Sequence, residues 1–141
     1  MTYDQFKTKF HLTLNTQQEA AVQAVDGPVL LLAVPGSGKT TVLVTRLGFM
    51  LYCSGICPEE ILTMTYTVAA TEDMRSRFET LFGNEAAERL EFRTINGVSA
   101  KIIRYYEHNK GRKAFELITD ERELSSIIGA IYRKVTDSYA T

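Results

Sequence analysis

The chain has 141 residues, 45% hydrophobic and 23% charged, with a net charge of −1. That describes one globular domain with enough apolar material for a core; it excludes a disordered chain and gives no global basic field to announce a nucleic acid, although a groove can still be locally basic. No apolar run approaches the roughly 20 residues of a membrane span, and MTYDQFKTKF has no apolar core of the kind a secretory signal needs, so no membrane partner is expected and the cytoplasm is the expected compartment.

Taken in order, Tyr3, Phe6 and Phe10 fall on one helical face, with Thr2 and Gln5 spaced as a capping box. The spacing predicts a short helix packed on the domain edge. A second helix begins in LNTQQEAAV, where two capping frames fit equally: Asn15 with Gln18, or Thr16 with Glu19. The first frame is expected to occupy Gln18, and the second leaves its amide free. Asp26-Gly27-Pro28 then ends the helix.

Residues 28–41, PVLLLAVPGSGKTT, combine an apolar branched run, a glycine-rich break and a helix start. The run Val29-Leu30-Leu31-Leu32-Ala33-Val34 reads as a strand buried on both faces. Strand, glycine turn and helix are the setting of a phosphate-binding loop. Small residues at Pro35, Gly36, Ser37 and Gly38 let backbone N–H groups curl around a phosphate, and the helix start at Lys39-Thr40-Thr41 adds its positive dipole end. Lys39 is the cation for the outer phosphates. The Thr40 hydroxyl is the candidate Mg2+ ligand, with waters completing the shell. Lys39 and Thr40 are therefore the candidate catalytic residues, and Ala33 stands where the strict G-x-x-x-x-G-K-[ST] pattern has its first glycine. The expected ligand is a nucleoside triphosphate.

Beyond the loop, Val42, Leu43, Leu47, Met50 and Leu51 form a helical stripe. Cys53 and Cys57 read as reduced thiols around the helix end rather than as half of a zinc site. Ile61 to Tyr66 reads as a second strand, parallel to the first through a β-α-β crossover. Ala70, Met74, Phe78, Leu81 and Phe82 mark a further helix, stopped by Gly83, and residues 90–94 read as a third strand. Asn96-Gly97 starts another helix with Val98, Ile102 and Tyr105 or Tyr106 inward. HNKGR, residues 108–112, is the expected domain boundary. Asp120 with Glu123 caps a last helix carrying Leu124, Ile127, Ile128, Ile131 and Val135. Phe115 to Glu121 imitates an apolar strand ending in Asp-Glu, but Glu116 interrupts it and Asp120 is better used as a cap. Alternating strands and helices give an α/β domain.

Four stretches in this order resemble the start of UvrD/Rep-type superfamily 1 DNA helicases. LNTQQEAAV resembles the adenine-reading Q motif, and AVPGSGKT resembles A-G-A-G-S-G-K-T, including the leading alanine. TYTVAATEDMRSR resembles T-F-T-N-K-A-A-x-E-M-x-x-R, and TINGV resembles T-F-H-S-F more loosely. The resemblance implies a RecA-like phosphate-loop fold, a parallel sheet flanked by helices, over residues 1–108, and the start of a mainly helical insertion over 109–141. It implies ATP with Mg2+ as cofactors and single-stranded or partly duplex DNA as partner of the intact protein, with 3′ to 5′ translocation. Gln18 would read the adenine, whose recognition suits an amide that both donates and accepts. Tyr66 would stack on a base, and Thr65, Thr67 and Asn96 would touch the sugar-phosphate chain. Val68 and Ala69 replace the family's Asn-Lys pair, and Asn96 replaces its His.

Hydrolysis also needs a positioned water and an arginine for the transition state. The family's Asp-Glu-x-Gln-Asp motif, arginine finger and second motor domain have no counterpart here. These residues are thus expected to be a fragment, inactive alone and dependent on the rest of a helicase chain. The alternatives are the helicase part of a helicase–nuclease, or a phosphate-loop switch without a DNA role.

Overall fold

A computed structural model describes residues 1–113 and 118–136. Two compact units divide between Lys101 and Ile102. In the first, α1 (Tyr3–Lys9), α2 (Thr16–Gln23) and α3 (Lys39–Tyr52) precede a 3-10 turn at Pro58–Glu60. Strand β1 (Leu62–Thr65), α4 (Val68–Phe82), α5 (Asn84–Arg89) and β2 (Glu91–Thr94) follow, and α6 (Ile95–Lys110) begins there. The architecture is a helix-rich α/β arrangement around a two-stranded parallel sheet, with Leu62 opposite Glu91 and Thr65 opposite Thr94.

Side-chain caps start α1 and α4, the first where the sequence places it. Thr2 accepts the Gln5 N–H at 3.3 Å while the Gln5 side chain accepts the Thr2 N–H at 3.0 Å, closing the expected capping box on α1. The Thr67 hydroxyl caps α4 by accepting the Ala70 N–H at 3.2 Å. Gly83, at φ 91°, ends α4 and at once precedes α5, a helix the sequence pattern does not announce.

The core lies where α1, α3, α4 and β2 meet. Phe6 and Phe78 are fully buried, and Val44, Leu47, Met74, Phe82 and Phe92 close around them. Phe6 stacks on Phe82 with ring centroids 5.8 Å apart and planes 11° apart; Phe10 and Phe78 each meet Phe82 at 4.8 Å. Helix α1 is therefore more than an edge element, because it supplies the centre of an aromatic cluster. On α3, Val42 and Leu47 are buried as expected, whereas Leu43 is exposed and Val44, Thr45 and Gly48 take the inward face.

The largest departure is at residues 29–34. Among the described residues the sheet has two strands, and none pairs with this run. It forms neither strand nor helix, with Leu30, Leu32 and Val34 81%, 82% and 71% exposed, Ala33 exposed beside them and Leu31 half-buried. A strand buried on both faces needs a neighbour on each edge and helices over each face, and this run has no neighbouring strand here. The parallel β-α-β unit present is β1, α4 and β2 instead. β1 is half-covered for the same reason: Ile61 is buried just before it, but Leu62 and Met64 are exposed.

Thr45 is fully buried and its hydroxyl has no hydrogen-bond partner among the described residues. Burying such a group costs about 1–3 kcal/mol. Thr45→Val keeps the shape and removes the hydroxyl, so the urea midpoint is expected to rise by the equivalent of about 1 kcal/mol. A lower midpoint would show that the hydroxyl makes a bond in solution.

Two carboxylates tie down the sheet side of this unit. Glu91 accepts from Lys101 at 2.6 and 2.8 Å and from Arg93 at 2.5 Å; these cations, Lys101 first, hold its carboxyl below the usual range. Glu59 is also lowered, by its own backbone N–H and then by Arg89. A carboxyl with a depressed folded pKa stabilises above its unfolded value, near 4.5, and loses that contribution as pH falls through the folded value. The thermal midpoint is therefore expected to fall below about pH 4.5, and Glu91→Gln should flatten that fall. Added salt should flatten it as well, since both groups are open to solvent.

The second unit holds the remainder of α6 and α7 (Glu121–Thr136). Asp120 caps α7 as expected, its Oδ1 accepting the Arg122 and Glu123 N–H groups at 2.9 Å, which accounts for the acidic residue of the imitation strand. Residues 115–117 of that stretch lie outside the described residues. The stripe on α6 expected to point inward does so only at Val98, half-buried in the first unit; Ile102, Tyr105 and Tyr106 are exposed, and so are the apolar residues carried by α7, Leu124, Ile127, Ile128, Ile131 and Val135. No helix among the described residues is long and apolar enough to cross a membrane.

Candidate functional site

The glycine-rich loop closes on itself through Val34. Its carbonyl accepts the Ser37 N–H at 3.2 Å and the Ser37 hydroxyl at 2.7 Å. Gly36 and Gly38 take φ values of 80° and 85°, left-handed backbone that a side chain would strain. Gly38 is also the N-cap of α3 and offers no side-chain oxygen, so the first-turn N–H groups are left without a capping partner. An anion is the natural complement to that arrangement. Pro35, Gly36, Ser37 and Thr41 are exposed, and Thr40 is half-buried in the first turn of α3. The Lys39 Nζ donates to the Ala33 and Val34 carbonyls, each at 3.0 Å. Its cation thus sits on carbonyl oxygens beside the loop, at an exposed position from which phosphate oxygens could displace them.

Gln18 is brought to the same place by α2. The Asn15 frame is the one used: Asn15 Oδ1 accepts the Gln18 N–H at 2.9 Å, and Gln18 Oε1 accepts the Asn15 N–H at 3.0 Å. Closing the cap does not withdraw Gln18 from the loop, because its Nε2 donates to the Ser37 carbonyl at 3.2 Å. The either-or choice expected from the sequence overlooked that an amide has two ends, and a free lone pair and a free proton still remain. Asn15, Gln17, Gln18, Ser37 and Lys39 line one cleft of about 520 Å3, backed by the exposed apolar run. That volume suits a small-molecule site. Nothing in the pattern around Asn15 and Gln17 beyond their proximity to Gln18 marked them as lining residues.

A second group gathers at the carboxyl ends of the strands. Tyr66 stands 88% exposed between β1 and α4. Its neighbours Thr65 and Thr67 use their hydroxyls internally, Thr65 on the Thr67 carbonyl at 3.0 Å and Thr67 on the α4 cap. At the end of β2 the Thr94 hydroxyl accepts the Gly97 N–H at 3.0 Å and so starts α6. Asn96 is exposed within that first turn rather than capping it. Arg77 is held by Asp73 through both carboxylate oxygens, at 2.8 and 2.9 Å, which raises its pKa further and ties it to its own helix.

The family pattern described as UvrD/REP helicase N-terminal domain matches residues 14–140. The chain belongs to the UvrD/Rep helicase family. It is 33% identical over 115 residues to the ATP-dependent DNA helicase PcrA of Staphylococcus epidermidis, an alignment covering 82% of this chain and 16% of that protein. PcrA of Staphylococcus aureus is 32% identical over the same shares. The chain therefore spans about a sixth of the length of these curated UvrD/Rep relatives.

Proposed function

We propose that this chain supplies the ATP-binding part of the first RecA-like motor domain of a DNA helicase that moves along single-stranded DNA, 3′ to 5′ by family analogy. The observation that carries the reading is the convergence of left-handed Gly36 and Gly38, the Lys39 amine and the Gln18 amide at one loop. The relatives' name, ATP-dependent DNA helicase, supports the nucleotide and the DNA alike.

The residues fit a magnesium nucleotide. Loop N–H groups from Pro35 to Thr41 (Pro35 itself excepted) and the Lys39 amine would hold the phosphates, the Thr40 hydroxyl would ligate Mg2+, and Gln18 would offer its spare donor and acceptor to adenine. When bound, ATP supplies a phosphoryl group for transfer to water. These residues bind and orient it; the water-positioning carboxylates and the transition-state arginine would come from elsewhere in a helicase chain. The proposed division is a motor-domain part, residues 1–108, and the start of a helical insertion, 109–141. Tyr66, with Thr65, Thr67 and Asn96 beside it, would form the DNA side, the ring stacking on a base without reading sequence. The cytoplasm is the proposed compartment.

Titration of a fluorescent ATP analogue with Mg2+ into the chain tests the nucleotide half. Lys39→Ala is expected to weaken binding by at least about tenfold, the loss typical of a hydrogen bond to a charged group. Equal binding by both proteins would remove the loop from the site. Steady ATP hydrolysis by the isolated chain, lost in Lys39→Ala, would overturn the division of labour.

A further inference from the structure

We propose that Thr71 is a positioning residue for Tyr66, its hydroxyl pinning the turn from which the ring projects. Three oxygens converge under that turn. The Thr71 hydroxyl lies 2.5 Å from the Thr65 hydroxyl and 3.0 Å from the Thr67 carbonyl, and the Thr65 hydroxyl lies 3.0 Å from the same carbonyl. Two hydroxyl protons serve three contacts, so one hydroxyl donates to the carbonyl and the other donates to its fellow hydroxyl or shares the carbonyl. The Thr67 carbonyl also accepts the Thr71 N–H at 3.1 Å. Residues 65 and 67, on either side of Tyr66, are thereby fastened to the second turn of α4. The Thr65–Thr71 contact is partly buried, whereas Tyr66 between the anchors is almost fully exposed.

The sequence shows why this chain needs such a fastening. In T-F-T-N-K-A-A-x-E-M-x-x-R the position of Thr71 is alanine, which can make none of these bonds. The same turn has lost the pattern's Asn-Lys pair to Val68 and Ala69, so it has neither a cation nor an amide with which to hold a nucleic-acid backbone beside the ring. A stacking ring gains affinity when it is already held in the bound orientation, and here that orientation must come from inside the protein. The inference rests on the reading of Tyr66 as a stacking residue.

The test uses the 141-residue chain, an oligothymidylate with 2-aminopurine at its centre, and amide hydrogen exchange. Thr71→Val keeps the shape and removes the hydroxyl. Exchange at Ala70, whose N–H the Thr67 hydroxyl accepts at 3.2 Å, is expected to quicken about fivefold, and the affinity measured by 2-aminopurine quenching to fall by about the same factor, the weight of one modest hydrogen bond. Thr71→Ser should restore both, which a purely packing role would not do. Unchanged exchange in Thr71→Val overturns the pin. Faster exchange with wild-type quenching overturns the positioning role. The Tyr66→Ala arm separates the underlying reading: if quenching survives there, stacking fails, and the role assigned to Thr71 fails with it; if quenching is lost there, the Thr71 arms alone decide.

Discussion

Phe6→Ala is expected to cost about 3–5 kcal/mol of folding stability, the usual range for truncating a buried aromatic. Domains of this kind have about 5–15 kcal/mol in all, so the urea midpoint should fall far and the variant should be partly unfolded in plain buffer. The reason is topological as well as volumetric. A seven-residue helix such as α1 cannot hold itself together in water; it stays folded because Phe6, fully buried, sits between Phe82, Phe10, Phe49 and Tyr52. Losing the ring frees the helix. It also slackens the Lys7–Glu19 ion pair, 2.8 Å long, that ties α1 to α2, and α2 carries Gln18 to the phosphate loop. Nucleotide affinity should therefore weaken beyond what partial unfolding explains. Phe6→Leu, which keeps most of the volume, should lose under about 1.5 kcal/mol. A Phe6→Ala midpoint within about 1 kcal/mol of wild type would mean that the helix docks through something other than this ring.

What could be read from the residues was what neighbours in sequence decide. The Thr2–Gln5 box, the Gly83 end of α4, its Met74–Phe78–Phe82 face and the Asp120 cap all follow from chemistry within one or two helical turns, whereas the Thr67 cap of α4 was not read from the residues. The loop at Gly36 and Gly38 was legible for the same reason, since positive φ is demanded by the local turn. What escaped was set by distant partners. Nothing in Val29 to Val34 says whether a strand lies beside it, and without one among the described residues the most apolar stretch of the chain is exposed. The inward face of α3 takes in Val44, Thr45 and Gly48 in place of Leu43, and Gly48 lies there against the Phe82 ring of α4, a partner distant in sequence. Gln18 was framed as a choice because a capping box is a local motif, whereas its bond to Ser37 spans 19 residues. The Thr65–Thr71 contact sits inside a motif whose Thr65 and Thr67 were read as facing DNA, and the hydroxyls of Thr65, Thr67 and Thr71 bond within the protein instead.

Gly48→Ala should destabilise the chain even though alanine is the better helix former. Gly48 is buried in the middle of α3, and a Cβ added there would lie 2.6 Å from Cε1 and 2.7 Å from Cε2 of Phe82, with Cζ nearer still. Those are distances at which something must move. The Phe82 ring cannot swing away cheaply, because Phe6, Phe10, Tyr52 and Phe78 surround it. Overpacking of this kind costs about 1–3 kcal/mol, against a gain of about 1 kcal/mol in helix propensity, and the clash with a hemmed-in ring puts the cost at the upper end. The cause can be separated from a general intolerance of α3 by a double-mutant cycle. Phe82→Leu alone should destabilise by opening space, yet in that background Gly48→Ala should turn neutral or favourable, since the obstructing ring is gone. The coupling between the two positions should then approach the whole clash, about 2 kcal/mol or more. Additive losses would place the strain of Gly48→Ala in the helix backbone rather than against Phe82, and the close approach of α3 to α4 would no longer account for the glycine.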